Sequence, residues 1–460
     1  MNPKPILALG ALLISTGCTL APRFTRPPSA VPETWSKGDK SGPVAADLQW
    51  RDFLTDPGMR AVVDLTLAHN LDLKVAVLNV EKTQAAYRIQ RGELMPTLGM
   101  QGTSTNYRIS EKQASSGEAS IVRQNTAYVA GLSWELDFFG RIRSLKDQAL
   151  NQYLATEQAQ AATRIALVTT VAQAYLQYAA DAENLNLAQS TLEAQKATYE
   201  LVTKSYELGM ASELTLRQSQ SQVDSARADV ARYRGLLALD QNALDLLAGT
   251  PVPPGMLPKG LGTLTELKDV SAGLPSEVLL RRPDILMAEY QLKAANANIG
   301  AARAAFFPNI SLTAGVGSMS PEVSSLFHSG TRTWSFTPTI VAPLFSGGSL
   351  WANLKVSKVS REIAVAQYQK AIQSGFREVA DGLAQREALV EQLSAQRSLV
   401  QALDTTHRLS DARYKEGMDS YLSVLVAQRS LYGAQQGLVA IRTAQQVNQI
   451  TLFKALGGRM

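Results

Sequence analysis

Between Gly140 and Gly209 the chain runs 68 residues without a glycine or proline, and between Gly348 and Gly417 another 68, broken only by Gly375 and Gly382. Both stretches are crowded with Ala, Gln, Leu, Glu and Arg, which cost little to place in a helix. At about 1.5 Å per residue, each makes a helix of roughly 100 Å, whereas an ordinary globular helix has about 11–12 residues. Each stretch ends in a Gly-Met pair, Gly209-Met210 or Gly417-Met418, and a second helical run follows, over about 212–247 or 420–456. Gly249 and Gly457 close those runs, as left-handed C-terminal glycines commonly do. The expected unit is a long helical hairpin, made twice. Its apolar positions are mostly Ala with scattered Leu and Val, which lets helices approach closely. The strict Leu seam of a soluble coiled coil is missing.

The repetition extends beyond the hairpins. Tyr206-Glu-Leu-Gly-Met-Ala-Ser-Glu-Leu aligns with Tyr414-Lys-Glu-Gly-Met-Asp-Ser-Tyr-Leu at a shift of 208, which also carries Gly140 onto Gly348 and Gln220 onto Gln428. Earlier in each repeat the shift is 212: Asn70-Leu-Asp-Leu aligns with Arg282-Pro-Asp-Ile, and Pro96 with Pro308. Internal duplication governs the fold before any local motif does. It divides the chain into repeat one at 51–250 and repeat two at 275–460, joined by an irregular linker at 251–274 that opens Pro-Val-Pro-Pro-Gly.

Two strands precede each long helix, at about 97–108 and 125–138, then 309–319 and 332–344. Their period is two. Ile310, Leu312, Ala314 and Val316 alternate with Asn309, Ser311, Thr313 and Gly315. Even positions from Tyr128 through Trp134 to Phe138, and from Trp334 through Ile340 to Leu344, read as one apolar, aromatic-tipped face. Such segments suit a barrel with lipid outside and water inside. No run reaches 18 consecutive apolar residues, so a membrane span here is made of strands. Four strands cannot close, because the smallest membrane barrels use about eight and an open edge has no water to bind in hydrocarbon. The chain therefore either shares a barrel with copies of itself, twelve strands from three chains being the simplest result, or forms no membrane barrel.

The N-terminus carries an address. Lys4, an apolar run from Ile6 to Ile14 and the small residues Ser15, Thr16 and Gly17 describe a secretory signal over 1–17. Cys18, the single cysteine, follows directly and resembles the acylated residue of a bacterial lipobox, with Ser15 where Leu is usual. Acylated Cys18 would carry palmitate-type chains, each buried methylene contributing about 0.8 kcal/mol, and Thr19 after it points to the outer membrane. Residues 18–50, with Pro22, Pro27, Pro28, Pro32 and Pro43, read as an extended lipid-anchored tether. A net charge of +5 without a Lys/Arg cluster argues against nucleic acid. The only histidines, His69, His328 and His407, lack ligand spacing to one another and to Cys18, so no metal site, cofactor or catalytic constellation is expected.

Longer motifs point to a family. They are Trp134-Glu-Leu-Asp-Phe-Phe-Gly-Arg-Ile-Arg-Ser, Tyr153-Leu-Ala-Thr-Glu-Gln-Ala-Gln, Arg281-Arg-Pro-Asp-Ile, Ala294-Ala-Asn-Ala-Asn-Ile-Gly-Ala-Ala-Arg-Ala-Ala-Phe-Phe-Pro, Glu378-Val-Ala-Asp-Gly-Leu and Ala427-Gln-Arg-Ser-Leu. In these the chain resembles the outer-membrane factor (TolC-like) family of efflux channels, in the lipoprotein branch that includes OprM and CusC. The resemblance implies an α+β membrane protein. Three copies would share a twelve-stranded transmembrane β-barrel and a long α-helical periplasmic barrel. It implies a homotrimer in the Gram-negative outer membrane, a periplasmic adaptor, and an inner-membrane pump of the proton-driven RND type. No enzymatic activity is implied. Gly209, Met210, Gly417 and Met418 would meet the adaptor at the hairpin tips, while linker 251–274 would join an equatorial belt. Leu422 matches the family's apolar constriction and Arg429 its nearby arginine. Val426 stands where an acidic residue is common, so Asp419, Glu416 or Glu213 would supply any acidity at the gate. Cargo stays open between drugs or other small organic compounds and, as an alternative, Cu/Ag cations. A periplasmic structural coiled coil is the competing class of reading.

Overall fold

A computed structural model describes residues 19–28, 31–32, 48–115, 117–271 and 280–459. Cys18 and the signal segment lie outside the described residues. The helices are α1 (Trp50–Phe53), α2 (Pro57–His69), α3 (Leu71–Gly92), α4 (Arg141–Glu207), α5 (Glu213–Ala248), α6 (Pro283–Ala304), α7 (Ser349–Lys415) and α8 (Tyr421–Ala455). The strands are β1 (Thr97–Ile109), β2 (Ser120–Leu136), β3 (Asn309–Ser320) and β4 (Arg332–Val341). Helices α4 and α7 each span 67 residues. No helix among the described residues is long and apolar enough to cross a membrane.

Two compact units cut across the two repeats. One holds residues 1–28, 79–157 and 287–369; the other holds 29–78, 158–286 and 370–460. The boundaries fall inside α3, α4, α6 and α7, so each repeat supplies residues to both units.

The first unit contains the sheet, in the antiparallel order β1-β2-β3-β4. Leu136, Trp134 and Leu132 pair with Ile310, Leu312 and Ala314, which pair in turn with Ile340, Pro338 and Phe336. This apolar face is well exposed: Trp334 is 75% accessible and Ile340 67%. The other face carries Ser133, Thr313 and Thr337 in one row. A bulge changes the expected alternation. Both ladders of β2 slip near Val129, leaving Tyr128 opposite Gly317. One extra residue reverses the pleat beyond it, so Tyr128 shares the polar face instead of the apolar one. Its ring lies where a Cβ on Gly315 would sit, 2.7 Å away. Strand β4 ends at Val341 instead of the expected 344, because its partner β3 begins at Asn309.

Strand β2 stops at Leu136 because Asp137 turns to cap α4. The Asp137 carboxylate accepts from the backbone N–H groups of Ile142 and Arg143 at 3.0 and 2.9 Å, satisfying orphan donors of the first turn. Arg141 makes a two-pronged bond to Glu135 at 2.9 and 2.8 Å. Phe139 stacks on Phe307 at 4.7 Å. The motif that begins at Trp134 is thus the hinge by which a strand becomes a helix.

The described part of the tether is a strap along α6. The Leu20 and Pro22 carbonyls accept from Arg303 and Asn296, at 3.0 and 2.7 Å. Arg26 meets Glu289 at 2.8 Å, and Lys293 meets the same carboxylate at 2.9 Å. Burial opposes ionisation of Glu289, yet Lys293 and Arg26 hold its carboxyl below the ordinary range.

The second unit holds the main core: Trp50, Phe53, Met59, Val171, Tyr175, Leu244, Val379, Ile450 and Phe453 among others. Phe53 stacks on Phe453 with ring centres 4.2 Å apart. The linker after α5 is folded into this core. Val252, Leu261, Leu267 and Val270 are buried, and the Tyr175 hydroxyl donates to the Met256 carbonyl at 3.0 Å. Gly382, which interrupts the second long helix, leaves room for Leu452, whose side chain lies 2.7 Å from where a Cβ would be.

Candidate functional site

The two helical turns are built alike. In the first, the Gly209 N–H bonds to the Tyr206 carbonyl at 2.9 Å and the Met210 N–H to Ser205 at 2.8 Å. In the second, the Gly417 N–H bonds to Tyr414 at 3.0 Å and the Met418 N–H to Arg413 at 2.9 Å. Both glycines are left-handed, with φ of 75° and 72°. This paired pattern satisfies two end carbonyls of the incoming helix, and its left-handed position favours glycine. Met210 and Met418 are exposed at 73% and 61%. Each turn thus presents a thioether at its apex, a side chain that adapts to irregular partner surfaces.

The turns differ in what locks them. Ser212 caps α5 by accepting from the Thr215 N–H at 3.2 Å. Ser420, its counterpart 208 residues on, makes no such bond. The second turn carries an ion pair instead: Arg413 Nε meets Asp419 at 2.6 Å and Nη2 meets its other oxygen at 3.1 Å. The equivalent first-turn residues are Ser205 and Ala211, which cannot form it. The hydrogen bonds from Arg413 hold the Asp419 carboxyl below the ordinary range. Behind the clamp, Tyr421, Val424 and Leu425 form a small buried cluster with Tyr414 against it, ring centres of the two tyrosines 5.4 Å apart.

Leu422, Val426 and Arg429 share the opposite, exposed face of α8. Their spacing of four and three residues puts them in one stripe. Leu422 is 55% and Val426 58% accessible. The corresponding face of α5 carries Leu214, Gln218 and Ser221. Asp419 lies apart from the stripe, bound to Arg413, and Glu416 and Glu213 flank the turns. Glu213 pairs with Arg217 at 3.5 Å. The Arg413–Asp419 clamp escaped sequence reasoning, although a basic residue at the last helical turn followed six residues later by an acid was a readable signal.

The hairpins are joined side by side within this unit. Tyr432 bonds to Asp229 at 3.3 Å and Gln436 to the Tyr233 hydroxyl at 2.9 Å, linking α8 to α5. Arg442 reaches Glu183 of α4 at 3.2 Å. The two hairpins are therefore bonded to each other and neither is a free arm.

The family described as Outer membrane efflux protein matches residues 62–250 and 274–458, one segment for each repeat. The chain belongs to that family. It is 44% identical to the toluene efflux pump outer membrane protein TtgC of Pseudomonas putida, covering 98% of this chain and 94% of the relative. Identity and coverage are the same for the antibiotic efflux pump outer membrane protein ArpC of Pseudomonas putida. A crystal structure of CusC superposes with a TM-score of 0.85 at 37% identity, over 96% of this chain and 100% of that one. The protein is thus an outer-membrane efflux component, and its family is one of channels and transporters, not of enzymes.

Proposed function

We propose that three copies form a passive channel through the outer membrane, joined by a periplasmic adaptor to an inner-membrane pump of the RND type, and that the channel conducts drugs, solvents or other small organic compounds. The carrying observation is the sheet: four strands, one apolar and one hydroxyl-bearing face, and two outer edges without a partner among the described residues. Such edges are tolerable in lipid only when another chain pairs with them. Energy comes from the pump; the channel supplies a path and a gate. The turns at Gly209-Met210 and Gly417-Met418 dock the adaptor, and the Leu422, Val426 and Arg429 stripe narrows the path. Relatives named for toluene and antibiotic efflux favour an organic cargo over Cu/Ag cations. Cys18 is acylated, and the strap at residues 19–28 leads the anchor from α6.

Deleting the gene in its host and restoring it tests the reading. Loss and recovery of tolerance to apolar antibiotics or toluene is expected; an effect confined to copper or silver would overturn the choice of cargo. Metabolic labelling with a palmitate analogue, lost in Cys18→Ser, tests the anchor. Native mass in detergent tests the trimer.

A further inference from the structure

The apolar face of the sheet ends in cations. The slip in the first ladder belongs to β2, so β1 alternates regularly and sets Leu98, Met100 and Arg108 on one face. Arg108 stands opposite Ile121, and Arg123 opposite Asn106. The two arginines are therefore diagonal neighbours on that face, about 7–8 Å apart. On β4, Arg332 continues the apolar row of Ile340, Phe336 and Trp334, opposite Ser318. All three arginines are exposed. None has an ion pair or a side-chain hydrogen bond among the described residues. The carboxylates of the adjoining turns, Glu111, Glu118 and Glu322, pair with none of them.

This is the end of the sheet remote from the helices, which adjoin it near Thr97, Leu136, Asn309 and Val341. From Ile340 to Arg332 are eight residues, about 27 Å along a strand and about 20 Å across a bilayer at the usual tilt. The lipid-facing band of a barrel is about 25 Å tall and edged with aromatic rings, and Trp334 supplies such a ring. Arginine is costly on this face at mid-membrane and nearly free at its border. Beside Arg332 lies a cavity of about 540 Å³. Val129, Ala130 and Val316 line it, together with Ser318, His328 and Arg332. An apolar wall thus runs out to an unpaired guanidinium.

We propose that the far border of the apolar face seats a phosphate-bearing lipid of the outer leaflet, with its phosphates on Arg332 and the Arg108–Arg123 pair and an acyl chain along Val129, Ala130 and Val316. The inference rests on the membrane-channel reading above. The chain offers these arginines no counter-charge, so the anion comes from the membrane. A guanidinium binds two phosphate oxygens at once, with a fork that the ammonium of lysine lacks. A cavity in a lipid-facing wall fills with acyl chain, since its lining would otherwise forfeit contacts. Each arginine near a lipid surface adds to the attraction of anionic headgroups, so three on one border select an anionic lipid over a neutral one.

Native mass spectrometry of the full-length protein in mild detergent tests this. The protein is titrated with lipid A carrying both phosphates, and with the same lipid after dephosphorylation. The phosphorylated form should bind more tightly, and an excess of inorganic phosphate should not displace it. Arg332→Gln should weaken binding about fivefold, and Arg108→Gln/Arg123→Gln about fivefold for each arginine removed. Arg227→Gln, on α5, should bind as the native protein does. The comparison of the two lipids uses native protein alone, so it decides the matter even where a variant folds poorly. Equal affinity for the two lipids, displacement by inorganic phosphate, undiminished binding by the sheet variants, or an equal loss in Arg227→Gln overturns the lipid seat and leaves the channel reading standing. A monomeric native mass in the same spectra overturns the trimeric reading itself.

Discussion

Arg282 donates from Nη1 to the carbonyl of Ala455 at 2.8 Å, and Asn70 donates from Nδ2 to the carbonyl of Leu247 at 2.9 Å. The donors are 212 residues apart and the acceptors 208, so both repeats tie the start of their short helix to the end of their returning helix at one equivalent point. The second copy of this tie is charged and buried. Arg282 also meets Asp284 at 2.8 Å and Glu378 at 2.7 Å, with its own side chain 6% exposed. Arg282→Ala strips two carboxylates of their cation and leaves a buried carbonyl unpaired. It should cost on the order of 3 kcal/mol, while Asn70→Ala should cost about 1–2 kcal/mol. Thermal unfolding followed by circular dichroism should rank them in that order; an equal or reversed ranking would show that the two ties do not differ as their burial implies.

Asp240 of α5 faces Asp181 of α4, and burial, followed by that neighbour's charge, lifts its carboxyl to about 6. Gln177 already donates to Asp181 at 2.8 Å, so the pair is best satisfied when it shares a proton. Raised acids favour the folded state while protonated, so their contribution is lost as pH rises. Stability should therefore fall from about pH 4 to about pH 6, the range between the ordinary value and the raised one, and level off above it. Asp240→Asn should flatten this dependence and raise the melting temperature at neutral pH. An unchanged pH profile in that variant would place the titration elsewhere.

Much of this architecture was legible because its signals are long. Two proline-free stretches and a constant offset announced the hairpins, and alternation announced the strands. The bulge at Val129 was not legible, because one inserted residue leaves the even-numbered pattern looking intact while moving Tyr128 to the other face. The strap was not legible either. Its prolines signal extended chain, and only the amide of Asn296 and guanidinium of Arg303 reveal where that chain lies. The division of each repeat between two units was not legible either, because the unit boundaries fall in mid-helix and depend on residues distant in sequence packing together.

The Arg413–Asp419 clamp stands in the second turn where the first turn has its serine cap. The Arg413 bond depresses the Asp419 carboxyl. Its stabilising contribution is present above the ordinary carboxylate value and is lost as pH falls through the depressed one. Asp419→Asn should loosen this turn and raise the open probability in single-channel recordings at neutral pH, while Ala211→Asp in the first turn should not change it. Acidification should bring the native channel toward the variant's behaviour. A variant indistinguishable from the native channel at every pH would remove the clamp from the gate.

Val426 decides the character of the proposed constriction. A carboxylate at this position in three copies would place like charges around one axis, where they repel each other and concentrate cations. Valine does neither, and its neighbours on the stripe are Leu422 and the cation Arg429. The native channel should therefore resist plugging by multivalent cations added on the periplasmic side. Val426→Asp should create such a block, deepening as pH rises through the carboxylate range and weakening in high salt. Gln218→Asp puts the same charge at the equivalent position of the first hairpin and should block far less if the second hairpin alone lines the constriction. Strong block of the native channel would overturn an apolar gate. Equal block by the two variants would mean that both hairpins face the axis.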